Sequence, residues 1–171
     1  MSERYSLGDR PLSTTRPVPQ VNIRNDASGS GLYRAPRRGV APDGTAARRE
    51  HQGIDILAPF GTTVASPFDG TIDIKNAYKD PNKSEFKIVS VTSQRGQRYR
   101  FFYVAPSDSD GTALVSDGDG VAAGQAIGTV QNIAKIDRNK SMHNHIHFEI
   151  WEKNAAIDPT PQIDEWRHTG D

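Results

Sequence analysis

The chain has 171 residues, 35% of them hydrophobic and 25% charged, and its 21 basic and 21 acidic side chains give a formal net charge of zero. This length suits one domain with tails, and the modest apolar share places part of the chain outside a packed core. The charge balance leaves no basic footprint for nucleic acid, no apolar run approaches the ~18 residues of a membrane span, and the absence of cysteine excludes disulfides, thiolate metal sites and thiol nucleophiles.

Residues 1–24 are polar and proline-containing with no helical or strand period, which predicts an N-terminal arm or linker. The opening MSERYSLGDRPLSTTRP lacks the apolar stretch of a secretory signal, so delivery outside the cytoplasm is expected by another route. Residues 25–50 carry the small-residue segment NDASGSG and then the basic stretch RAPRRGVAPDGTAARRE. That basic stretch reads either as a solvated loop or as an anion-contacting rim of a cleft.

From residue 51 the pattern changes to short alternating runs separated by turn signals. HQGIDIL sets Gln52, Ile54 and Ile56 against His51, Gly53 and Asp55. Runs at 62–66, 70–74 and 85–93 follow, then 97–105 after a hairpin turn at Arg95-Gly96, a glycine-rich segment at 116–130, and HIHFEIW at 145–151. No segment sustains a 3.6-residue period. The expectation is an all-β domain over residues 25–162, with antiparallel pairing and few or no helices. Pro159 and Pro161 argue against a further strand, so residues 163–171 are expected to be a tail that packs briefly and frays.

Four of the five histidines fall in two patches, His51 in HQGID and His143, His145 and His147 in MHNHIHFEI. In the second patch Ile146, Phe148 and Ile150 share one strand face, and His145, His147 and Glu149 share the other. The apolar face demands a core, which turns the histidine face toward a groove. His145 and His147 lie ~7 Å apart along a strand, a long span for two ligands of one ion. A division into one ligand and one general base is more natural. His51 and Asp55 flank Gly53, whose missing side chain leaves room between them. Three ligands of the His₂Asp type would leave a fourth tetrahedral position on Zn²⁺ for water. His143 reads as a rim residue or as an aid to catalysis, Tyr103 as core or as a hydroxyl donor, and His168 as solvated.

These residues, together with HQGIDILAPFGTTVASPFDGTI, GVAAGQAIGTV, HIHFEI and Ile157-Asp158-Pro159, make the chain similar to the lysostaphin-like zinc metallopeptidases over residues 29–160. The resemblance implies a large antiparallel sheet with long loops forming a groove. It implies Zn²⁺ held by His51, Asp55 and His147, with His145 as general base. The implied activity is cleavage of peptide bonds in bacterial peptidoglycan. One departure stands out: where the family has Tyr-x-His on a central strand, FFYVAP has Tyr103 followed by Ala105. Loss of one preorganised donor typically costs about 10²–10³ in rate. HQGID with FFY-x-x-P is also similar to leukocyte cell-derived chemotaxin 2, which shares that departure and implies a binding role.

Two readings therefore stand. One is a zinc endopeptidase, delivered to the periplasm or cell wall as a secreted antibacterial effector or with a phage particle. Its partners would be a peptidoglycan peptide and a secretion-apparatus or immunity protein. The other is a zinc-containing module that binds a wall fragment or a protein partner without cleaving it.

Overall fold

The hairpin expected at Arg95-Gly96 organises the main sheet. Gly96 takes φ +83°, a conformation that suits a residue without Cβ, and Ser93 N–H donates to Gln97 O at 2.8 Å to close the turn. The computed structural model describes residues 12–136 and 139–169. On either side of this turn run β8 (Lys87–Thr92) and β9 (Arg98–Phe102), antiparallel from Ile88↔Phe102 to Thr92↔Arg98. Strands β7 (Gly70–Asn76) and β11 (Gly120–Val121) extend the sheet beyond β8. Strands β13 (His145–Glu152) and β14 (Ala155–Ile157) extend it beyond β9. Strand β5 (Ile54–Leu57) also pairs with β13, so the sheet has seven strands, all antiparallel.

A smaller sheet of order β10–β12–β6 joins Val104–Ala105, Ala126–Val130 and Thr63–Ala65. Two further hairpins pair β1 (Asn25–Asp26) with β2 (Gly29–Ser30), and β3 (Pro36–Val40) with β4 (Ala46–Glu50). The all-β antiparallel architecture expected from the sequence is therefore the one observed.

The run 97–105 is not one strand. Tyr103 has φ +67°, a strained conformation for an aromatic residue, and it breaks the run between the two sheets. Its backbone stays satisfied: Tyr103 N–H donates to Lys87 O at 2.7 Å, and its carbonyl accepts from Gln131 N–H at 2.8 Å.

The core fills the space between the sheets. Ile54, Ile56, Ile146 and Phe148 are fully buried on one side, and Val64, Ile127 and Val130 come from the smaller sheet. Phe101 and Phe148 stack at 5.3 Å between ring centroids. Central β8 buries Ile88, Val89, Ser90 and Val91 in succession, so both of its faces are covered.

Both termini depart from expectation. Within the described residues the C-terminal stretch packs further than expected, because Thr160–His168 form α1, with Pro161 in its first turn where a missing N–H costs nothing. Ile163 and Trp166 are buried, and the Trp166 ring lies 5.2 Å from Phe148 and 6.1 Å from Tyr99. Nine residues are too few to display a period against a proline-rich background, so tertiary packing decides this helix.

Of the expected N-terminal arm, residues 1–11 lie outside the described residues, and 12–24 are built into the domain. Val18 and Val21 join the core. Ala65 N–H donates to Pro17 O at 2.8 Å, and Leu57 N–H to Asn22 O at 2.7 Å. The two termini meet where Trp166 Nε1 donates to Thr14 Oγ1 at 3.1 Å and Arg167 Nε donates to Val21 O at 3.2 Å.

Replacing Trp166, which is 1% exposed, leaves a large cavity against Phe148 and Tyr99. Trp166→Ala is expected to destabilise the fold by about 3–5 kcal/mol. Urea unfolding followed by circular dichroism checks this; a change within 0.5 kcal/mol would mean that α1 is only loosely docked.

Candidate metal centre

The centre is assembled by the antiparallel register of two strands. His147 sits directly opposite Asp55, and Phe148 opposite Ile54. Alternation sends the apolar residues to the core and these two polar residues to the other face. His51 lies just before β5 and is tied by its backbone: its N–H donates to Ala35 O at 2.9 Å, and its carbonyl accepts from Arg34 N–H at 2.8 Å. The room beside Gly53 is taken by β13. A Cβ there would fall 2.2 Å from Phe148 O and 3.0 Å from His147 Cε1.

Three donor atoms converge. His51 Nε2 lies 2.8 Å from His147 Nδ1 and 3.0 Å from Asp55 Oδ1, and His147 Nδ1 is 3.0 Å from the same oxygen. The outer atoms show why this set suits a cation. His51 Nδ1 faces Leu32 O at 2.9 Å, and His147 Nε2 faces Glu149 Oε1 at 2.9 Å. Both partners are acceptors, so each imidazole donates outward and turns a lone pair inward. Two nitrogen lone pairs and a carboxylate oxygen then meet at one point, a fit for a divalent ion with nitrogen and oxygen ligands. Their spacing approaches the edge of about 3.3 Å that ligands at ~2.0–2.1 Å subtend in a tetrahedron.

The surroundings reinforce that arrangement. Burial pushes the Asp55 carboxyl up, but the close approach of His147 and His51 outweighs it and holds the group well below the usual carboxylate range. Burial pushes His147 down, and the carboxylates of Asp55 and Glu149 on either side more than restore its hold on positive charge. Glu149 is itself fixed by Arg100 Nη1 at 3.0 Å and Trp151 Nε1 at 2.6 Å. A carboxylate behind a ligand histidine sets its tautomer and raises its basicity.

Arg24 is the residue that sequence reasoning missed. It is 2% exposed and donates to Asp55 Oδ2 through Nε at 3.1 Å and Nη2 at 2.9 Å. The two oxygens of Asp55 are thereby divided, Oδ2 to the guanidinium and Oδ1 to the histidines. Arg24 Nη1 also donates to Asp26 Oδ1 at 2.7 Å, and Asp26 Oδ2 accepts from His143 N–H at 2.9 Å. One network thus ties β5 to the loop entering β13. The close approach needs Gly31, where a Cβ would lie 2.8 Å from both Arg24 O and Asp55 Cβ. The available signal was the apolar spacing of Val18, Val21 and Ile23 around this arginine, in a stretch read as an arm.

His145 stands beside the three-residue set and outside it. Its Nδ1 faces His143 O at 2.8 Å, so Nε2 carries the lone pair, 3.7 Å from Asp55 Oδ1. Burial lowers its affinity for a proton, against the pull of Asp55. The Tyr103 ring packs edge-on against it at 5.6 Å.

His143 does not join them. Its side chain is 64% exposed and lines a separate, largely apolar pocket, while its carbonyl orients His145. His168 is exposed near the end of α1. Tyr103 lines the cleft above the centre, a space of about 1070 Å³, and Ala105 does not. The basic stretch 34–50 is largely the β3–β4 hairpin, and Arg34, Arg37 and Arg49 line that same cleft.

Comparison with known proteins agrees with this geometry. The profile of Peptidase family M23 matches residues 49–159, which include every residue of the converging set. Leukocyte cell-derived chemotaxin-2 of Mus musculus is 28% identical over 139 residues, 81% of this chain and 76% of that protein. The Bos taurus protein of that name is 29% identical, over 72% of this chain and 69% of its own. An uncharacterized metalloprotease of Haemophilus influenzae is 30% identical over 65% of this chain but only 20% of its own length. Among solved structures, lysostaphin from Staphylococcus simulans superposes with a TM-score of 0.56 and 21% identity, covering 92% of this chain and 57% of that one. The chain thus spans little more than half of lysostaphin. A chain of the SpoIIIAH–SpoIIQ complex superposes at 0.54 with 22% identity, over 87% of this chain and 99% of that one. These structural likenesses establish the fold.

Arg24→Met removes the clamp on Asp55 Oδ2 and leaves Asp26 buried without its cation. Affinity for Zn²⁺, read by chelator competition, is expected to fall about 10–100-fold. Wild-type affinity in this variant would show that Asp55 needs no such support. Gly53→Ala places a methyl group against the β13 backbone. It is expected to lower the melting temperature both with and without added metal, as overpacking costs ~1–3 kcal/mol; an unchanged melting temperature would contradict the tight β5–β13 approach.

Proposed function

Because this chain belongs to peptidase family M23, we propose that it is a zinc-dependent endopeptidase acting on peptide bonds of bacterial peptidoglycan. The observation that carries this reading is the placement of His145. It is a buried imidazole whose lone pair points at the His51–Asp55–His147 set without belonging to it. A purely structural metal site closes its shell with protein ligands, whereas a catalytic one keeps three and leaves a position open. A third imidazole, beside the His51–Asp55–His147 set, stands where a base is needed.

His51 Nε2, Asp55 Oδ1 and His147 Nδ1 are the atoms that would hold Zn²⁺. The ion would supply Lewis-acid polarisation of the scissile carbonyl and acidify water to near neutrality. The chain's own groups do the rest. Glu149 and the Leu32 carbonyl fix the ligand tautomers. His145 Nε2, held neutral by burial, accepts the proton of the attacking water, and His143 O keeps its ring oriented through Nδ1. Tyr103 packs against that ring and limits its rotation.

A second reading rests on Ala105 and on the chemotaxin-2 relatives: a zinc-containing module that binds a wall fragment or a protein partner. Digestion of purified sacculi separates the two. With zinc loaded, the wild type is expected to release new amino and carboxyl termini, and His145→Ala to do so about 10²–10⁴-fold more slowly. Wild-type protein that releases none at high enzyme, yet binds fragments as well as His145→Ala does, would establish the binding module instead.

A further inference from the structure

The cleft contains an excess of positive charge that the protein does not answer. Three acidic residues line it, and each already has an arginine: Asp55 bonds Arg24 at 2.9 Å, Glu149 bonds Arg100 at 3.0 Å, and Glu50 faces Arg34 at 3.6 Å. Arg37 and Arg49 remain. Arg37 Nη2 reaches Asp55 Oδ2 only at 3.5 Å, an oxygen that Arg24 already occupies twice. Among the described residues no acidic group pairs with Arg49.

These two arginines are neighbours by construction. β3 and β4 pair Arg37 directly with Arg49, and Arg38 with Arg48. Directly opposed residues share a face with Cβ atoms ~4.5–5.5 Å apart, and like charges placed so are destabilising. Alternation sends Arg37 and Arg49 to the cleft and Arg38 and Arg48 to the other side, away from it. Arg37 is also only 22% exposed. A fold that keeps two opposed guanidinium groups at the mouth of a cleft, one of them half-buried, lacks an anion there.

We infer that the cleft selects peptides carrying a free carboxylate, which docks between Arg37 and Arg49. The position is defined by Arg37, whose Nη2 is 3.5 Å from the side chain of Asp55. An extended chain advances ~3.3–3.6 Å per residue. The carboxylate therefore belongs to the residue at, or next to, the bond presented to the metal centre. Two guanidinium forks suit a carboxylate by planar, bidentate hydrogen bonding. A neutral peptide would leave the pair unanswered. This inference rests on reading the cleft as a peptide site, and it specifies which peptides that site takes.

Four N-acetylated peptides test it: Ala-Glu-Ala-Ala and Ala-Gln-Ala-Ala, each with a free or an amidated C terminus. Their affinities for zinc-loaded protein are read by fluorescence anisotropy before turnover. Wild type is expected to prefer a carboxylate-bearing member about 10–100-fold over the fully neutral one. The Glu and free-terminus arms tell which carboxylate is read. Arg49→Gln, on an exposed strand and outside the metal ligands, is expected to abolish that preference. Arg38→Gln, the same charge change on the opposite face of the hairpin, is expected to keep it. Equal affinity of wild type for all four peptides overturns the inference while leaving a peptide site intact. A preference that survives Arg49→Gln, or that Arg38→Gln removes equally, overturns it as well, the latter by showing general electrostatic attraction. Binding of none of the four rejects both this inference and the peptide-site reading.

Discussion

The structure depends on how one carboxylate is shared. Asp55 Oδ1 faces His51 and His147 at 3.0 Å, while Oδ2 is held by Arg24 at 2.9 and 3.1 Å. A carboxylate that is 3% exposed has lost most of its hydration, an expense of several kcal/mol per ion unless partners replace the water. Arg24 replaces it on one side, and the His51 and His147 imidazoles face it on the other. Removing either side leaves a buried charge without compensation. The same arginine engages Asp26, which in turn captures the backbone of His143, so the loop feeding β13 is set by the network that sets the ligand.

This sharing works because β5 and β13 use both of their faces. Ile54, Ile56, Ile146, Phe148 and Ile150 bury one face in the core. The opposite face carries Asp55, His145, His147 and Glu149, which are buried too or nearly so, but among polar partners. A one-residue slip between these strands would exchange the two sets, so the hydrophobic face enforces the register that the metal centre requires. Gly53 and Gly31 are where the backbone comes too close for a side chain. Stability and the site are in this respect one problem.

The rim above the centre follows a different logic. The β3–β4 hairpin gains no core of its own, and its cross-strand arginine pairs oppose folding rather than favour it. Tyr103 likewise occupies a left-handed conformation that a glycine would take more readily, and it does so against His145. Strain and unanswered charge gather around the cleft, whereas the sheet beneath it is regular. Strained conformations persist only where the surrounding structure over-determines them, and they cluster at functional sites.

Much of this was legible in the residues themselves. Alternation and turn signals pointed to an antiparallel all-β domain, and parity put His145 with His147 on one strand face and His51 with Asp55 on another; only ligand chemistry and the family resemblance joined the two patches. Spacing alone did not assign roles: the tautomers do, and they depend on Leu32 O, Glu149 and His143 O, acceptors supplied by the folded chain. Arg24 was invisible as a partner of Asp55, because a side chain 31 residues away is joined to it only by tertiary packing. α1 was hidden for a related reason: a nine-residue helix has little intrinsic stability and forms because Trp166 finds Phe148 and Tyr99. The sequence determined which groups are available and which face each occupies. Only the tertiary structure decided which of them share a carboxylate and converge on one point, because those choices are made across distances that local periodicity does not encode.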